Sequence, residues 1–175
     1  MAHDANSVPA SSADPKTGIG LYVALTLSAA IVAAVAANTS VLLTLPPWAM
    51  FMGWVAYFTR RPSAREGVQS FVCILLGLGL GALATIAVGA LAPSLGGMAF
   101  PLVVLAVGTV VIATRGLPVL GNLLAYFIGM ITFFAAHLEP ELASIARLGG
   151  ATGLGCVAGW VVQAVEERIR RLVAA

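Results

Sequence analysis

The sequence predicts an all-α integral membrane protein of six transmembrane helices, built as two inverted three-helix repeats. Three observations carry that prediction. Residues are 60% hydrophobic and only 9% charged over 175 positions, whereas soluble domains are about a quarter charged. Apolar runs of helix-spanning length recur between short polar breaks. The chain also resembles itself at a fixed separation.

Met1 to Thr17 is polar and rich in Ser, Ala and Pro, and is expected to be a disordered cytoplasmic tail. The apolar run that follows is too long for a signal peptide, so it is expected to be retained as a span. The first span is expected over Gly18–Ala37, closed by Asn38, Thr39 and Ser40. The second starts near Val41, holds Pro46 and Pro47, and ends at Thr59 before Arg60 and Arg61. It is either short or broken at the proline pair, because a proline inside a helix removes a ladder bond. The third is expected over Val68–Leu91, the fourth over Gly97–Thr114, the fifth over Leu117–Leu138 and the sixth over about Leu148–Val165. The repeats are thus 18–91 and 97–165, followed by a basic cytoplasmic C-terminus over 166–175.

Orientation follows from the basic residues. With the N-terminus inside, Lys16, Arg60, Arg61, Arg65, Arg115, Arg168, Arg170 and Arg171 all fall in cytoplasmic segments, and only Arg147 does not. The positive-inside rule then puts both termini in the cytoplasm.

The internal match pairs FMGWVAYF (51–58) with FIGMITFF (127–134), a shift of 76. The same shift pairs Gly77-Leu78-Gly79 with Gly153-Leu154-Gly155, and Leu45-Pro46 resembles Leu117-Pro118 at a shift of 72. Three spans is an odd number, so the second copy enters inverted, and solute sites in such proteins lie where the copies meet.

Phe51, Trp54 and Phe58 share one helical face, as do Tyr126, Met130, Phe133 and His137. Facing aromatic stripes can wall a pore, or can be packing or interfacial belts. Trp54, Phe58, Asn122, Tyr126 and Phe133 are the candidate pore-lining residues. Asn122 stands one turn past Pro118 on an otherwise apolar helix, where it would meet a solute or bond across to another helix. Gly77, Gly81, Gly89, Gly149, Gly153, Gly155 and Gly159 form small-residue rows and are expected to pack helices closely. Cys73 and Cys156 lie in apolar runs without CxxC spacing and read as free buried thiols.

No Asp, Glu, Lys or Arg lies within an expected span. That argues against an ion-coupled pump or a charged filter. No catalytic or phosphate-cradling motif occurs, so neither enzyme activity nor a cofactor, metal or nucleic-acid partner is expected. The expected partners are the lipid bilayer, further copies of the chain and a small solute.

At LPPWAMFMGWVAYF and FIGMITFFAAHLEPELASIARLGGATGLGCVAGW, the chain resembles the YcdZ-like family of small bacterial inner-membrane proteins, a domain family of unknown function. Trp48, Ala49, Phe51, Gly53, Ala56, Tyr57 and Phe58 match its first half. Phe127, Ile128, Gly129, Phe133, Phe134, Glu139, Glu141, Gly153 and Gly155 match its second. The likeness covers roughly Leu45 to Trp160; the N-terminal tail has no counterpart, and the Arg60–Arg65 loop departs from a glycine-rich one. It implies location and topology and no substrate. The functional expectation is a channel or facilitator for a small neutral or weakly charged solute such as urea, ammonia, an amide, carbon dioxide or a short monocarboxylic acid. The alternative is a non-transporting accessory or assembly subunit of a larger complex. An interface packed shut between the halves, with Asn122 bonded to a neighbouring helix, would count against the channel.

Overall fold

The computed structural model describes residues 15–174, and the side chains of 18–174. It is all-helical: α1 (Pro15–Leu42), α2 (Pro47–Tyr57), α3 (Ala64–Leu95), α4 (Ala99–Ala113), α5 (Leu123–Ala136) and α6 (Leu142–Ala174). Single 3-10 turns flank α4 at Gly96–Met98 and Thr114–Gly116. Of the tail expected to be disordered, residues 1–14 lie outside the described residues, and Pro15–Thr17 belong to α1.

Among the described residues, three helical runs are long and apolar enough to cross a membrane: Gly18–Leu42, Ala64–Gly116 and Leu142–Ala174. This is the signature of a membrane protein. The second run folds back on itself at Gly96, whose φ of 53° is a left-handed conformation that glycine alone adopts cheaply. Val111 near the end of α4 therefore packs into the same core as Ile74 and Leu78 near the start of α3.

Several boundaries differ from the sequence expectation. Asn38, Thr39 and Ser40 do not close α1, which runs on to Leu42. Thr39 satisfies its hydroxyl on the Val35 carbonyl and Ser40 on the Leu45 carbonyl, so neither competes with the helix. Pro46 and Pro47 do not break a helix but start one: Pro46 is the N-cap of α2 and Pro47 its first residue, where no amide hydrogen is needed. The chain reaches that start through Thr44, at φ 56°. The fifth helix begins at Leu123, six residues later than expected, because 117–122 is spent in turn and extended backbone. The C-terminal segment expected as a separate basic tail continues α6 as helix to Ala174.

α2 and α5 are short. At 1.5 Å per residue, their 11 and 14 residues reach about 16 and 21 Å, against a hydrocarbon core of about 30 Å. They cannot cross alone, and each lies on a long helix: α2 on α6, and α5 on α3. Both pairs run parallel. Along α2 and α6, Leu45 meets Gly150, Gly53 meets Thr152 and Tyr57 meets Gly159. Along α5 and α3, Asn122 meets Ser70, Tyr126 meets Gly77 and Phe133 meets Gly81. α3 and α6 also touch, closing a four-helix centre, while α1 and α4 lie outside it.

Candidate functional site: the glycine-lined helix interfaces and their polar end

Four glycines bring backbone against backbone. A methyl on Gly53 would overlap the Thr152 carbonyl, and one on Gly155 the Met50 carbonyl. On the other pair, a methyl on Gly129 would overlap the Ile74 carbonyl, and one on Gly77 the Tyr126 carbonyl. Two further glycines seat aromatic rings, Gly159 against Tyr57 and Gly81 against Phe133. Lipid gives helices no hydrophobic reason to associate, so close approach and dispersion must hold such a centre together.

Six of the seven expected packing glycines therefore meet a neighbour. Gly149 lies against Leu75 and Gly153 against Phe71, beside Gly77, Gly81, Gly155 and Gly159 already described. Gly89 does not: a methyl there meets nothing within 4 Å, because α3 has by that point run past the end of α5. Gly53 and Gly129, which carry the family likeness, are not among the glycines expected to pack, yet they make two of the tightest contacts. Their common place in FMGW and FIGM was the available signal. Gly67, against the Tyr57 ring, was missed as well.

Asn122 is the N-cap of α5 rather than a mid-helix residue. Its Oδ1 accepts from the Ala125 amide at 3.3 Å. Its Nδ2 donates to Thr59 Oγ1 at 2.8 Å and to Ser70 Oγ at 2.9 Å. Both ends of the amide are used, in a site where Asn122 and Ser70 are buried. Nearby, Tyr57 donates its hydroxyl to Gln163 Oε1. Gln163 Nε2 in turn donates to the Pro62 carbonyl and to Glu167. Arg60 pairs with Glu66 at 2.7 Å, and Ser63 caps α3 by accepting from the Glu66 amide. Ser63 and Glu66 have the spacing of a capping box, a helix-start signal present in the sequence.

The five candidate pore residues are not brought to one path. Tyr126 and Phe133 are buried in the α3–α5 interface, whereas Phe58 faces outward. Trp54 packs with Ala36, Met50 and Ala158 on the α1–α6 side. The two aromatic stripes do not face each other. The faces that match by position are Phe51, Val55 and the C-cap Phe58 of α2 and Phe127, Ile131 and Phe134 on α5, and all six are exposed. None of the five candidates lines either of two apolar grooves. One, of about 390 Å³, lies among α2, α3 and α6; the other, of about 560 Å³, lies among α3, α4 and α5. Cys73 and Cys156 are free and buried, as expected, and Cys156 donates its thiol to the Gly53 carbonyl at 3.3 Å. Among the described residues, no group of three or more potential metal ligands occurs.

No curated protein and no solved structure matches this chain. Residues 26–166 match a family described as a protein of unknown function, DUF1097, a stretch running from within α1 to within α6 and taking in every glycine contact above. The chain belongs to the DUF1097 family.

Proposed function

We propose that the chain crosses the bacterial inner membrane six times as two inverted repeats, with both termini in the cytoplasm, as the likeness to YcdZ-like proteins implies. The support is a set of contacts that come in pairs. Gly53 and Gly129 are 76 residues apart, as are Met50 and Tyr126, Tyr57 and Phe133, and the first residues of α2 and α5. Gly77 and Gly155 are 78 apart, as are Gly81 and Gly159, Ile74 and Thr152, and the first residues of α3 and α6. Exchanging the halves turns the Gly53, Gly155 and Gly159 contacts of α2–α6 into the Gly129, Gly77 and Gly81 contacts of α3–α5. The register is thus two residues longer on the third helix than the sequence match gave, with the difference taken up in the loop before α6. Pro46 corresponds to Asn122, both N-caps, so the Leu-Pro match at a shift of 72 is not part of the repeat. Parallel α2–α6 and α3–α5 pairs are also what alternating crossings require.

Within this architecture, the better-supported role is a non-transporting accessory or assembly subunit. The observation that carries it is the closed interface between the halves: backbone meets backbone at Gly53, Gly77, Gly129 and Gly155, and Asn122 is committed to Thr59 and Ser70. A passage there would need the tightest contacts of the fold to part. Purification in mild detergent tests this role. Co-purification of a stoichiometric membrane partner supports it, and a self-contained oligomer overturns it.

A second reading retains the facilitator for a small neutral or weakly charged solute, with its path between copies of a homo-oligomer. What favours it is the matched exposed faces, Phe51-Val55-Phe58 and Phe127-Ile131-Phe134. Stopped-flow flux of urea, ammonia and short weak acids into proteoliposomes decides. Flux changed by Phe58→Ala and Phe134→Ala but not by Asn122→Leu supports a path between copies; flux no higher than in protein-free liposomes eliminates it.

A further inference from the structure

The α2–α3–α6 groove is apolar along its length and charged only at one end. Its walls include Gly67, Phe71, Gly153, Val157 and Trp160, with Tyr57 at the back. Two glycines leave it hollow: a methyl on Gly67 would lie 2.8 Å from the Tyr57 ring, and one on Gly153 3.1 Å from the Phe71 ring. Its volume of about 390 Å³ falls in the range of ligand pockets.

Ala64 and Val68 form the rim where α3 begins, and Arg65 stands between them on the first turn. The preceding loop carries Arg61 and is tied to α6 by the Gln163–Pro62 bond at 2.9 Å. Two turns beyond Trp160, α6 presents Arg168. Arg61, Arg65 and Arg168 are exposed and enter no ion pair among the described residues. The carboxylates nearby are Glu66, held by Arg60, Glu167, shared between Gln163 and Arg171, and Glu166. Six arginines thus face three glutamates at this end, leaving it positive.

We propose that this groove binds one anionic phospholipid of the cytoplasmic leaflet, an acyl chain lying along Phe71, Val157 and Trp160 and the phosphate held by Arg61, Arg65 and Arg168. The groove supplies a site for the chain, and guanidinium forks match phosphate oxygens. A second copy of the chain fits worse, because a two-fold contact through this face sets the same arginines against each other. The inference rests on the proposed orientation, with both termini in the cytoplasm, and holds whether or not the protein transports a solute.

The test is native mass spectrometry of the full chain released from detergent, titrated with phosphatidylglycerol or with phosphatidylcholine of the same chains. One phosphatidylglycerol is expected to bind in preference. A basic residue near the surface contributes about fivefold to anionic-lipid binding, so Arg65→Gln with Arg168→Gln weakens binding about 25-fold. Arg115→Gln, outside the groove, stays within about twofold. Val157→Trp, which fills the groove from an exposed position, abolishes the preference. Equal retention of both lipids overturns the proposal, as does phosphatidylglycerol binding untouched by Val157→Trp, or a dimer that Val157→Trp disrupts. A readout without groove substitutions uses Trp48→Phe with Trp54→Phe. One equivalent of chain-brominated phosphatidylglycerol quenches Trp160, and failure to quench beyond the phosphatidylcholine analogue refutes the site.

Discussion

Replacing Gly155 with alanine places a methyl on the Met50 carbonyl and 2.6 Å from the Trp54 amide nitrogen. Ordinary contact begins at 3.4 Å and the Met50 oxygen lies nearer still than the Trp54 nitrogen, so α2 must recede from α6 by more than an ångström. Neither colliding atom belongs to a flexible side chain, so the movement involves the helix. A gap of about 0.5–1 Å already forfeits a quarter to a half of each dispersion contact it opens, and this one is no smaller. Gly53–Thr152 and Gly159–Tyr57 lie on the same interface and open with it. Overpacking of this kind costs about 1–3 kcal/mol, and a backbone collision belongs at the upper end. Alanine returns about 1 kcal/mol through its better helix propensity. The net loss is about 2 kcal/mol, or about thirtyfold in the folding equilibrium. Gly79→Ala is the internal control: nothing lies within 4 Å of its methyl, so it shows the propensity gain alone, about 1 kcal/mol of stabilisation. Reversible unfolding of both variants in mixed detergent micelles, followed by circular dichroism, measures the difference of about 3 kcal/mol. If Gly155→Ala proves as stable as Gly79→Ala, the glycine contacts do not hold the halves together.

Asn122→Leu removes a cap and two side-chain bonds and leaves the buried Ser70 hydroxyl without its partner; we expect a loss of about 2–3 kcal/mol in the same unfolding assay. Ser63→Ala uncaps α3 and is expected to cost about 1 kcal/mol, seen as faster amide exchange confined to the first turn of that helix. His137 ends α5 at φ 50°, a left-handed conformation, so His137→Gly is expected to raise stability by about 1 kcal/mol. A lower unfolding midpoint for that variant contradicts the geometry.

Composition and the apolar runs make the helical membrane class legible, because few charges and long uncharged stretches leave a chain little other choice. Helix order is legible for the same reason. Boundaries are less so, since Thr39 and Ser40 read as a stop while their hydroxyls satisfy themselves on their own segment's carbonyls. The LPPW stretch was ambiguous on sequence because a proline starts a helix as readily as it breaks one. The site was the least legible part. Phe51 and Tyr126 look alike as aromatic positions on apolar helices, yet one faces outward and the other is buried. Which face of an all-apolar helix turns inward is decided by the glycines opposite it, and in a sequence without polar contrast no periodicity records that choice.

The parallel α2–α6 and α3–α5 pairs carry a consequence for how the chain is made. When the first half leaves the ribosome, the partners of its interior faces do not yet exist. Gly53 waits for Thr152, about a hundred residues later, and Gly77 for Tyr126, about fifty residues later. Until then α2 is a stub of 11 residues, too short to span a bilayer unaided. The early half must be sheltered at the insertion site or held in a bilayer that dimples around it. Commitment of the first half to its final depth is therefore a late event in synthesis, timed by the arrival of α6.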